Sequence, residues 1–113
     1  MIVISLGGSL IVPDEIDWKF LKQFKKIIET EIKKGCRFII VTGGGKTCRK
    51  YQTAAKKITK LESDDVDWIG IHSSRLNAHL IRTIFRDYAH PIINTNPYDL
   101  ESFLKTKESI LVA

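Results

Sequence analysis

The chain has 113 residues, 43% of them hydrophobic, and its 18 Lys and Arg outweigh 13 Asp and Glu for a formal net charge of +5. That is ordinary globular composition, enough for one domain and too little for two, and no apolar run approaches the roughly 20 residues of a membrane span. The basic excess fits phosphate-bearing ligands, but the charges spread over helices instead of interleaving with aromatics, so neither a nucleic acid nor a membrane partner is expected.

The first stretch, MIVISLGGSL, lacks a basic leader and a small-residue cleavage pattern and reads as a strand over residues 2–6, not as a signal segment. A glycine turn, Gly7, Gly8 and Ser9, follows at once. Pro13, Asp14 and Glu15 mark a loop, and Asp17 stands as a helix N-cap. Leu21, Phe24, Ile27 or Ile28, and Ile32 then recur at spacings of three and four, with lysines around the rest of the helix. Gly35 is placed to close it as the C′ residue.

Residues 37–51, RFIIVTGGGKTCRKY, hold the strongest local signal. Phe38, Ile39, Ile40 and Val41 form a β-branched apolar run that predicts a strand buried on both faces. Gly43, Gly44 and Gly45 follow, and from Lys46 the pattern turns helical. Glycines between a strand and a helix N-terminus expose unpaired amides and the positive end of the helix dipole, an arrangement that attracts anions. Lys46, Arg49 and Lys50 add charge there, although the same residues would also make a plain Gly-rich turn with cations solvating a helix face. Gly45, Lys46 and Thr47 mimic the end of a P-loop, but that motif needs a glycine where Ile40 stands, so a P-loop is rejected. Two glycine turns at the ends of two buried strands predict a shared edge of a parallel sheet, where ligands of open α/β folds gather.

The helix after Lys46 is expected to bury Tyr51, Ala54, Ala55 and Ile58, and to fade into a polar connector over residues 61–65. Asp64, Asp65 and Asp67 read as an exposed loop leading to an N-cap, not as a metal cluster. A long helical pattern runs from Trp68 to Tyr88, with Ile69, Leu76, Leu80, Ile84 and Tyr88 on one stripe and Ile81 and Phe85 beside it. So broad an apolar face predicts cover by the sheet on one side and by another subunit on the other. His72 and His79 share a face but have no third ligand, so no metal site is expected. Cys36 and Cys48 fit free thiols in a reducing compartment, and the chain is expected in the cytoplasm. Residues 91–94 predict a brief strand, Tyr98 to Leu104 a short amphipathic helix, and residues 108–113 a further buried strand. That last apolar run lies at the end of the sequence, which reads as a truncated chain or one half of a split protein.

Taken together, Gly7-Gly8-Ser9, Thr42-Gly43-Gly44-Gly45 and Arg49-Lys50-Tyr51 resemble the amino acid kinase superfamily. Asp67-Trp68-Ile69-Gly70-Ile71 followed by Ser74-Arg75-Leu76-Asn77-Ala78 is similar to its archaeal uridylate (UMP) kinase branch. The resemblance covers nearly the whole chain and corresponds to the N-terminal half of that branch. It implies an α/β fold, a three-layer α-β-α sandwich around a mainly parallel sheet, with residues 1–113 as a single acceptor-binding unit and no ATP-binding half. It implies transfer of the γ-phosphate of ATP, with Mg²⁺, to UMP to give UDP. Gly7, Gly8 and Ser9 would face the phosphates in transfer, with Gly8 and Ser9 acting catalytically. Gly43, Gly44 and Gly45 would hold the nucleotide, Arg49 its phosphate and Asp67 its ribose hydroxyls. Ser5 stands where many superfamily members carry the lysine of K-x-G-G, and Lys46 is the candidate replacement. Partners implied are the nucleotide monophosphate and either further copies of the chain or a complementary C-terminal half. The alternatives are a superfamily kinase for another small phosphate or carboxylate, and a non-catalytic nucleotide- or phosphate-binding remnant.

Overall fold

The computed structural model describes residues 1–96 and 100–113, the side chain of Leu100 excepted. Strand β1 (Ile2–Leu6) leads into a single-turn helix α1 (Gly8–Ile11), then α2 (Trp18–Lys33), β2 (Phe38–Thr42), α3 (Gly45–Lys56), α4 (Ser63–Ile84), α5 (Leu100–Leu104) and β3 (Ile110–Val112). The strands form one parallel sheet in the order β1-β2-β3, with Ile2 opposite Phe38 and Phe38 opposite Ile110. The α/β class and parallel sheet expected from the sequence are therefore what the chain adopts.

Strand alternation divides the side chains between two faces. Leu6, Phe38, Ile40, Ile110 and Val112 enter the main core, where they meet Ile11 of α1, Leu21 and Ile28 of α2, and Ala78, Ile81 and Phe85 of α4 and the turn after it. Phe24 meets Phe85 edge-to-face with ring centroids 5.9 Å apart, which locks α2 against α4. The other face is thinner: Ile39 and Leu111 pack with Phe103 of α5. Arg37 ties that helix down, since its guanidinium lies over the Phe103 ring and donates to the carbonyls of Phe103 and Glu108, each at 3.0 Å.

Caps follow the sequence closely. Asp17 accepts from the Phe20 amide at 3.1 Å, and Gly35 takes φ +93° just past α2. Of the adjacent isoleucines, Ile28 is the buried one and Ile27 is exposed.

Four expectations are corrected. The long helix begins at Ser63, not Trp68, because the Asp65 carboxylate accepts from the Glu62 amide at 3.0 Å and starts it a turn early. It also ends at Ile84, with Phe85–Tyr88 forming turns. Tyr51 and Ile58 do not form a buried stripe; they are 66% and 87% exposed, because α3 turns its Cys48, Gln52 and Ala55 side inward. Residues 91–94 make no ladder strand. His90 and Asn94 donate to the carbonyls of Ile110 and Val112 at 2.8 and 2.9 Å, but between them the Ile92 amide turns back to His90 Nδ1 at 3.2 Å instead of joining the ladder. Finally, β1 is not a buried strand: it lies at the edge of the sheet, and only Leu6 is fully covered. Of the helix expected over Tyr98–Leu104, Tyr98 and Asp99 lie outside the described residues.

These placements predict opposite outcomes for two apolar truncations. Phe85→Ala removes a fully buried ring and is expected to cost about 3–5 kcal/mol. Ile58→Ala should change stability by less than about 0.5 kcal/mol. Urea unfolding of both variants measures the contrast.

Candidate functional site

Both glycine turns leave the same end of the sheet, because β1 and β2 are parallel and paired from Ile2–Phe38 to Leu6–Thr42. They are pressed together. Gly45 holds φ +62°, and a side chain on it would run into the Gly8 carbonyl; one on Gly8 would come within 2.7 Å of the Gly43 carbonyl carbon. Only paired glycines permit this approach of backbone to backbone.

The amides at this junction are not all free. The Lys46 amide donates to the Val12 carbonyl at 3.0 Å, so the sequence-based picture of a wholly open helix N-terminus is corrected at that residue. On α1, Gly8 and Ser9 precede the first intrahelical donor, Leu10, which bonds the Gly7 carbonyl at 2.9 Å. Gly8 is buried while Gly7 and Ser9 are exposed, and Gly43, Gly44 and Gly45 are half-buried.

Helix α4 fixes the second turn from behind. The buried Asn77 amide donates to the carbonyls of Gly43 and Gly44 at 2.8 and 3.2 Å. The Thr42 hydroxyl donates to the Ser74 carbonyl at 3.1 Å. This explains why α4 buries Ser73, Asn77 and Ala78 near the loops and exposes Leu76: the helix lies against peptide backbone there, and large side chains would hold it off. The apolar stripe read from the sequence is accordingly rotated at this end.

Beside the second turn opens a cleft of about 670 Å³, whose polar lining includes Thr42, Asp67, Ser74, Arg75, Asn94 and Thr95. Asp67, in the second turn of α4, is exposed at its wall. A carboxylate there can accept from ligand hydroxyls, and Arg75 offers a planar fork of donors. Asn94 and Thr95 escaped the sequence reading. Their signal was position: they end the apolar pair Ile92-Ile93, which runs alongside β3 toward the ligand edge of the sheet.

The basic residues separate into three situations. Lys46 is half-buried, Arg49 is exposed on α3, and neither lines the cleft. Lys50 turns the other way, its ammonium 3.4 Å from Glu15 Oε1 and 3.0 Å from the Asp14 carbonyl. Its charge is thus offset locally, and it is removed from the anion-binding set. Ser5 is exposed on β1. Asp64 and Asp65 sit in the first turn of α4, where they favour the positive helix end. Among the described residues, no group of three or more His, Cys, Asp or Glu is placed to hold a metal, and no helix is long and apolar enough to cross a membrane.

A parallel sheet that delivers two opposed glycine turns beside a cleft with an acidic wall defines an open α/β protein with its candidate site at the C-terminal edge of the strands. Residues 1–109 match the amino acid kinase family, and the chain belongs to that family. Its relatives include the uridylate kinase of Thermococcus sibiricus, 40% identical over 92 residues, or 81% of this chain and 40% of that one. The uridylate kinase of Pyrococcus abyssi is 31% identical over 107 residues, 95% of this chain and 47% of that one. The crystal structure of the uridylate kinase of Archaeoglobus fulgidus superposes with a TM-score of 0.79 at 29% identity, over 98% of this chain and 49% of its own. The chain therefore spans less than half the length of these relatives.

If Asn77 sets the second turn, its loss leaves two carbonyls without their donor. Asn77→Ala is expected to cost about 1–3 kcal/mol in urea unfolding. Hydrogen exchange at the Gly44 and Gly45 amides should accelerate more than exchange in β2.

Proposed function

We propose that this chain is the acceptor-binding half of a UMP kinase-type phosphotransferase. Such an enzyme moves the γ-phosphate of ATP to UMP, giving UDP. The observation that carries the reading is the juxtaposition of Gly8 with Gly43–Gly45 next to a cleft walled by Asp67. The acceptor occupies that cleft, with its ribose hydroxyls on Asp67 and its phosphate toward Gly43, Gly44 and Gly45. Arg49 reaches that phosphate from α3 as a bidentate donor.

The phosphates in transfer lie over Gly7, Gly8 and Ser9. Lys46, directly after the glycine that meets Gly8, supplies the positive charge that Ser5 does not. Phosphoryl transfer asks the protein chiefly for position and charge, and Mg²⁺ would supply further positive charge to the phosphates. ATP and its Mg²⁺ are assigned to the other half of the family's length. The uridylate kinases among its relatives support UMP as acceptor; Asp67 favours a ribose-bearing acceptor over a small acid, which has no vicinal hydroxyls to offer it.

Calorimetric titration of the 113-residue chain tests the assignment. UMP is expected to bind, and Arg49→Ala and Asp67→Ala should each weaken it by about tenfold or more, the loss expected for a charge-assisted contact. Uridine binding should ignore Arg49→Ala, whereas 2′-deoxy-UMP, which keeps only the 3′-hydroxyl, should lose less to Asp67→Ala than UMP does. UMP affinity unchanged by both substitutions would remove the proposed roles.

A further inference from the structure

With the ribose assigned to Asp67 and the phosphate to Gly43, Gly44 and Gly45, the base of the acceptor falls to the rest of the cleft. Arg75 follows Asp67 by eight residues on α4, which is about 12 Å along the axis at the helical rise. Asn77, which holds the glycine turn, is two residues further on, so it points about 200° round the helix from Arg75. Arg75 therefore stands at the far end of the cleft from the acid and on the side away from the glycine turn. Asn94 and Thr95 line the same cleft. Arg75 and Thr95 also share a neighbouring cavity of about 440 Å³, which puts the helix residue and the segment next to each other. Both are fixed to strand ends: the Ser74 carbonyl accepts the Thr42 hydroxyl at 3.1 Å, and the Asn94 amide N–H donates to Val112 at 2.9 Å.

The polar groups at this end have one character. A guanidinium carries donors and no acceptor, and no ion pair among the described residues takes the guanidinium of Arg75. Asn94 has both kinds of group, but its Oδ1 accepts from the Asn96 amide at 3.2 Å, which leaves Nδ2 to donate. The Thr95 hydroxyl serves either way and does not discriminate. The acid in the cleft lining is Asp67, at the other end.

We infer that Arg75 and Asn94 select the nucleobase, donating to the oxygen at position 4 of uracil and rejecting the amino group that cytosine carries there. Position 4 lies across the pyrimidine ring from the glycosidic nitrogen, so its substituent reaches farthest from a ribose held at Asp67. Ile71 and Ile93 in the lining offer apolar surface to the ring. A carbonyl oxygen has two lone pairs and accepts from both donors. An amino group brings a further donor to the same place and leaves them unpaired, which costs more than a lost contact. The inference rests on the acceptor reading given above and adds base selection to it.

Calorimetric titration with UMP, CMP and uridine tests it, on the 113-residue chain and on its Arg75→Ala and Asn94→Asp variants. The unaltered chain should bind UMP about tenfold or more tighter than CMP. Arg75→Ala should weaken UMP and uridine alike and CMP little, so that the preference shrinks toward parity. Asn94→Asp keeps an oxygen for the Asn96 amide but puts an acceptor where the donor was, and should move the preference toward CMP. Equal binding of UMP and CMP by the unaltered chain, or an equal fall of both in Arg75→Ala, overturns the inference. So does a loss for UMP that uridine does not share, which would put Arg75 on the phosphate. If the unaltered chain does not bind UMP, the acceptor reading fails and this one with it. UMP binding with a base preference that neither substitution moves overturns this one alone.

Discussion

The structure depends on one steric constraint: two backbone turns must share a space too narrow for a side chain on either. Paired strands lie about 4.8 Å apart, but the helices that follow them are about 10 Å wide with their side chains. Two helices cannot begin abreast at that spacing unless their first residues interpenetrate. Gly8 and Gly45 resolve the conflict by direct backbone contact, Gly45 at φ +62°. The first helix is limited to the single turn Gly8–Ile11, and the carbonyl of Val12 caps the second by taking the Lys46 amide. Because peptide groups meet there without side chains between them, the two turns lie side by side at the end of the sheet. Position, packing and candidate chemistry follow from one pair of residues.

Much of this was legible in the residues themselves. Apolar runs ending in glycines located β1 and β2, and the parallel pairing put their turns side by side. Asp17 and Gly35 bounded α2 because capping is local chemistry, decided within a few residues. What was not legible depended on distant partners. No residue of α3 is fully buried, and the side it turns inward carries Cys48, Gln52 and Ala55, so hydrophobic periodicity pointed to Tyr51 and Ile58 instead. Likewise the loop end of α4 packs on peptide backbone, and Asn77 is buried for its two hydrogen bonds and not for its hydrophobicity. The early start of α4 was hidden because Glu62 and Asp65 make a reciprocal cap out of residues that also read as a solvated acidic loop.

The candidate site was read less completely than the fold, for an electrostatic reason. Sequence shows charges but not what offsets them. Lys46, Arg49 and Lys50 look equivalent along the chain, yet Lys50 is held by Asp14 and Glu15 from the loop before α2. Arg75, within a motif noted for its resemblance value, proves to be the guanidinium on the cleft wall. Of the remaining cations, Lys46 is half-buried and Arg49 exposed on α3, while Arg75 on α4 lines the cleft.

That arrangement bears on Ser5. It lies on the exposed edge strand, in register with Val41 and next to the open face of the sheet. A lysine here would extend from an edge that nothing among the described residues covers, where solvent would screen its charge. A cation on the helix side of the turns is closer to the half-buried backbone groups and less exposed to water. A serine at position 5 therefore puts no charge on the uncovered side of β1, while Lys46 stands half-buried on the helix side of the turns. The missing lysine and the bare strand are physically consistent with each other.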